Sequence, residues 1–132
     1  MIAAQGGDCR VCDDVNLLPK APVIYPVRAK EDGFLAHVNG TALGLAAQRM
    51  GAGRIRKEDE IDPVVGFVME KHIGDAVKKG DVLCTLHAAS EESAKETEER
   101  VLSALEFTKA PVPKARLLYA LITPQGVTNL NE

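Results

Sequence analysis

Two glycine turns set close together constrain this chain more than any other feature. Within residues 51–87 (GAGRIRKEDEIDPVVGFVMEKHIGDAVKKGDVLCTLH), Gly74-Asp75 and Lys79-Gly80-Asp81 interrupt a series of apolar points at Ile73, Val77, Leu83 and Leu86. Glycine accepts positive φ without a β-carbon penalty, so the chain can reverse twice in about a dozen residues and bury those side chains together. The run Val64, Val65, Gly66, Phe67, Val68, Met69 is β-branched, aromatic or small, and Pro63 biases Asp62 away from the α region. A strand is therefore expected over residues 64–69, followed by a compact β-hairpin unit.

The flanking elements follow from the same chemistry. Residues 23–29 (VIYPVRA) and 33–38 (GFLAHV) read as strands linked by Lys30-Glu31-Asp32, with Pro26 confined to an edge or a bulge. Thr41 or Asn39 can cap a helix running to about Met50, with Ala42, Leu43, Ala46, Ala47 and Met50 as its apolar stripe and Gly51 as its stop. Ser90 caps a second helix. Its first turn carries Glu91 and Glu92, its exposed face the i,i+4 pairs Glu91–Lys95 and Glu96–Arg100, and its buried face Ala94, Val101 and Leu105. Pro111 and Pro113 are expected to end it, and residues 114–122 (KARLLYALI) to form a last strand. The order β-β-α-β-β-α-β predicts an α+β fold of short β-hairpins with two helices.

A chain of 132 residues is one domain by size and buries a real core. Its charge of −3, with no long basic face, argues against nucleic-acid binding. No apolar run reaches the roughly 20 residues that span a bilayer, and the first residues lack the pattern of a secretory signal; a cytoplasmic location without membrane contact is expected. Three cysteines, an odd number, favour reduced thiols.

Motifs that carry chemistry are few. Cys9 and Cys12 have the C-x-x-C spacing of zinc knuckles and redox pairs, but a structural zinc needs about four ligands and no second such pair exists. His37, His72 and His87 are scattered singly. Glu58, Asp59, Glu60 and Asp62 lack the ligand pattern of a calcium loop and read as a solvated turn. No metal site is expected. The one local candidate for ligand contact is Gly51, Gly53, Arg54, Arg56 and Lys57: glycines leave backbone N–H groups accessible and the cations can pair with phosphate. The alternative is a plain helix-stop turn in which Arg54 pairs with Glu58, Asp59 or Asp62.

The segments GAGRIRKEDEIDPVVG and GDAVKKGDVLCTLHA, with AAQGGD, LLPKA, DGFLAHV and ALGLAA before them, resemble the C-terminal domain of the pyrimidine-nucleoside and thymidine phosphorylases. The resemblance runs in order along nearly the whole chain. It implies a hammerhead or barrel-sandwich-hybrid architecture, with residues 1–22 as the tail and connector of a missing N-terminal catalytic domain and residues 23–132 as the C-terminal domain. The implied parent is a homodimer that cleaves thymidine, uridine or deoxyuridine with inorganic phosphate as co-substrate and without an organic cofactor. Its catalytic residues lie in the missing N-terminal domains, so none is carried onto this chain, which alone is expected to be inactive. The resemblance also sets this domain beside the substrate cleft, where the loop from Gly51 to Lys57 can close over it. The shorter pattern G-D-x-V-x-K-G-D-x-L is similar to biotinyl and lipoyl carrier domains, so a non-enzymatic carrier or binding module is the alternative. Met69-Glu70-Lys71-His72 is its nearest approach to a modifiable lysine.

Overall fold

The computed structural model describes residues 1–114 and 116–130. Strands β1 (Val23–Arg28), β2 (Gly33–Val38), β3 (Gly66–Met69), β4 (Ala76–Val77), β5 (Val82–Ala88) and β6 (Leu105–Thr108) form two three-stranded sheets, and β7 (Ala120–Thr123) with β8 (Gly126–Asn129) a separate hairpin. Helices α1 (Gly40–Ala47) and α2 (Glu91–Ser103) complete an α+β fold with antiparallel pairing throughout.

The first sheet has the order β1-β5-β3 and the second β4-β2-β6. β1 is therefore an edge strand, where Pro26 opposes Thr85 and its missing N–H is tolerated. β5 is central: Cys84, Leu86 and Ala88 alternate inward, and Leu83, passed over where the register with β1 shifts between Val27 and Arg28, is buried as well. Leu83, Cys84 and Leu86 thus join Val27, Leu35 and Val101 in one core shared by both sheets and α2.

The caps act as expected. Asn39 Oδ1 accepts from Ala42 N at 3.0 Å, and Ser90 Oγ from Ser93 N at 3.2 Å. Gly51 turns the chain with φ 114° inside the wide helical turn, Gln48–Ala52, that follows α1. Of the two ion pairs expected on α2, Glu96–Arg100 forms at 2.8 Å and Glu91–Lys95 does not.

Four expectations are corrected. β3 begins at Gly66, because Pro63 and Val64 form a turn in which Asp62 Oδ1 accepts from Val64 N at 3.0 Å. Both glycine turns form, with φ 89° at Gly74 and 93° at Gly80, but they do not close one local hairpin: β4 crosses to the second sheet and pairs with β2, while β3 pairs with β5. α2 stops at Ser103, well before the prolines, because Leu105 to Thr108 are drawn into pairing with β2. The last strand starts at Ala120 and folds back through Gly126 onto β8. Ala115, inside the strand expected over residues 114–122, lies outside the described residues.

Candidate functional site

The loop from Gly51 to Lys57 leaves α1 as a closed excursion. Its base is tied where Asp62 N donates to Gly51 O at 2.9 Å, and a β-carbon at Gly51 would stand 3.4 Å from Val65. Gly53 is extended, and a β-carbon there would come within 3.1 Å of Gln48 Cγ. Gln48 Nε2 donates to Arg54 O across that narrow gap. Asp59 turns back on the loop: its Oδ2 accepts from Ile55 N at 3.0 Å and from Arg56 N at 2.7 Å.

This arrangement changes the chemistry expected of the loop. The N–H groups of Ile55 and Arg56 are spent on Asp59, so they are not open to an anion. The charged side chains are what remains: Arg54, Arg56 and Lys57 are exposed, and among the described residues none forms a salt bridge. The pairing of Arg54 with Glu58, Asp59 or Asp62 is not made, because the Asp59 carboxylate serves the backbone and the Asp62 carboxylate caps Val64. Gln48 and Asp59 brace the loop through its backbone, a contact not expected for either residue from the sequence. The signal for Asp59 was its spacing, three and four residues after the amides it accepts from, as in other side-chain-to-backbone turns.

A second concave region lies beside β3 and β4, a cavity of about 510 Å³ lined by Val38, Met69 and Ile73 with Lys71, Asp75 and Lys114 at its polar side. Lys114 Nζ stands 2.8 Å from Asp75 Oδ1, and that hydrogen bond, followed by the backbone amide of His72, holds the Asp75 carboxyl below its ordinary range. Asp81 is held down likewise, first by the backbone amide of Lys78 and then by Lys71 Nζ at 3.3 Å.

The family model described as "Pyrimidine nucleoside phosphorylase C-terminal domain" matches residues 34–108, from the second residue of β2 to the end of β6. The chain belongs to that family. It is 40% identical over 122 residues to a pyrimidine-nucleoside phosphorylase of Geobacillus stearothermophilus, which covers 92% of this chain and 28% of the relative. It is 41% identical over 120 residues to the one of Bacillus subtilis, covering 90% and 27%, and 35% identical over 119 residues to the one of Staphylococcus haemolyticus, again covering 90% and 27%. The chain thus spans little more than a quarter of the length of these phosphorylases. The family match contains the whole candidate loop, together with the Gln48 and Asp59 that hold it.

The remaining candidates do not converge on it. Cys9 and Cys12 sit exposed on a short helical turn near the N-terminus, while Cys84 is buried in β5. Among the described residues no group of three or more His, Cys, Asp or Glu is placed to hold a metal. Lys71, the nearest approach to a carrier lysine, is tied to Asp81 and largely covered, unlike the free tip a prosthetic group needs.

Proposed function

We propose that the chain serves as the C-terminal domain of a pyrimidine-nucleoside phosphorylase, whose complete polypeptide cleaves thymidine, uridine or deoxyuridine with inorganic phosphate to free base and (deoxy)ribose 1-phosphate. The observation that carries this reading is the match to pyrimidine-nucleoside phosphorylases that extend well beyond the aligned region, joined to the family match over residues 34–108. On this reading residues 1–22 are the connector from the catalytic part and residues 23–132 the domain itself. The complete enzyme works as a cytoplasmic homodimer without an organic cofactor.

The domain's own part in the reaction is assigned to the loop from Gly51 to Lys57, which closes over the substrate cleft. Three unpaired cations on a loop braced by Gln48 and Asp59 favour a partner that is anionic, and the co-substrate is phosphate. Backbone amides are already used, so the attraction is through Arg54, Arg56 and Lys57, with the Arg fork suited to phosphate oxygens. The two sheets sharing one core, with β4, which lies between β3 and β5 in sequence, pairing at the edge of the other sheet, favour the hammerhead or barrel-sandwich-hybrid architecture.

The test is phosphate-dependent release of thymine and uracil from their nucleosides. The complete polypeptide is expected to catalyse it and residues 1–132 alone to give none. Release by the isolated chain, or none by the complete polypeptide, would overturn the assignment.

A further inference from the structure

The C-terminal hairpin does not belong to the core. Every residue of β7 and β8 is exposed, including the directly opposed pair Ile122 and Val127, at 78% and 63%. Residues 117–130 (LLYALITPQGVTNL) contain no Asp, Glu, Lys or Arg. Leu117, 94% exposed, both precedes this hairpin and lines the cavity whose apolar wall is Val38, Met69 and Ile73. Apolar hairpin and apolar cavity thus adjoin through one residue. A lone two-stranded hairpin is marginal in water, and a charge-free exposed patch is the composition of an interface centre.

We propose that this hairpin is a docking arm that packs against an uncharged, apolar surface of the preceding part of its own polypeptide. The inference rests on the reading of the chain as the C-terminal domain of a larger phosphorylase. Size decides between occupants. Two four-residue strands cover a face roughly 13 Å by 10 Å, far short of the ~800 Å² per partner that a standard stable interface buries. A second copy meeting this face alone would not stay bound. A covalently joined partner needs far less area, because the tether holds it at an effective concentration of about millimolar. The relatives supply such a partner, since this chain spans 28% of the length of the Geobacillus stearothermophilus one.

Hydrogen exchange read by mass spectrometry tests the proposal, on residues 1–132 and on the complete polypeptide, each at two protein concentrations. Amides of residues 117–130 are expected to exchange freely in the isolated chain and about 100-fold more slowly in the complete polypeptide, independent of concentration. Ile122→Lys with Val127→Lys should abolish that slowing while β5 stays protected. Equal exchange in both proteins would overturn the proposal, and so would protection that rises with concentration, which is the signature of a second copy. Protection without phosphorolysis would support the arm and overturn the functional reading alone.

Discussion

Replacing Gly74 by alanine should cost the domain more than the same change at Gly80, although both residues have nearly the same backbone. Gly74 has φ 89° and Gly80 φ 93°, so each alanine pays a left-handed penalty of roughly 1–2 kcal/mol. Their surroundings differ. A β-carbon on Gly80 meets nothing within 4 Å, whereas on Gly74 it would stand 2.9 Å from the N and Cα of Lys114 and from the carbonyl oxygen of Val112. Those are backbone atoms and cannot rotate away, so residues 112–114 must move. That movement pulls Lys114 from Asp75 and strains the bond from Gly74 N to Leu35 O, now 2.8 Å. Overpacking of this kind adds about 1–3 kcal/mol, which puts Gly74→Ala near 2–5 kcal/mol in all. For a chain of this size 1 kcal/mol moves Tm by roughly 3–5 °C, so Gly80→Ala should lower it by about 3–10 °C and Gly74→Ala by about 6–25 °C. Urea titration followed by circular dichroism gives both free energies on one scale. Equal losses, within about 0.5 kcal/mol, would show that the 112–114 segment does not rest on the Gly74 turn and would refute the packing argument.

Other outcomes follow from the same contacts. In the complete enzyme Arg54→Ala is expected to cut kcat/KM roughly ten-fold, a loss of about 1.4 kcal/mol in the transition state, with Tm unchanged; equal kcat/KM would return the loop to a plain helix stop. Burial, with the charges of Glu70 and Glu98 behind it, pushes the Cys84 thiol up to about 12. A thiol reagent at pH 8 should therefore modify Cys9 and Cys12 in the native chain and reach Cys84 only after denaturation, as counted by the thiolate released. The carboxyls of Asp75 and Asp81 are held below their ordinary value of 3.8, so the stability they contribute is complete above that value and is lost as pH falls through their lowered folded values. The Asp75→Asn, Asp81→Asn double variant should melt lower at pH 7 and lose less Tm on acidification than the wild type; parallel curves between pH 5 and pH 2 would contradict this. Ending the chain at Ser103 removes β6 and is expected to abolish the cooperative thermal transition, and a sharp transition would show that β2 needs no partner there.

How much was readable in advance depended on how local the cause was. Asn39, Ser90, Gly51, Gly74 and Gly80 act on their own backbone or on one a few residues away, and each does what its side chain or its absence allows. The ends of strands are decided at a distance. Leu105 to Thr108 continue a helical sequence until β2, some seventy residues earlier, offers them a ladder. β4 is two residues long and nothing inside it says that its partner is β2 and not its neighbours in sequence. At the candidate loop the glycines and cations were legible, whereas the loss of the Ile55 and Arg56 amides to Asp59 was not, because it depends on how the chain turns back. The hairpin of β7 and β8 was half visible as an apolar run, and its exposure on all sides was not.

The pairing of β1 with β5, Val23 against Ala88, and of β2 with β6, Phe34 against Thr108, has a consequence for the order in which the protein is made. Each sheet joins an early strand to one that leaves the ribosome much later. At about 5–20 residues per second, β1 and β2 wait roughly 3–15 s before their partners exist. During that wait the apolar side of β1 and the open edges of both strands have no partner from this domain, so the two sheets close as a late event, once Thr108 has emerged.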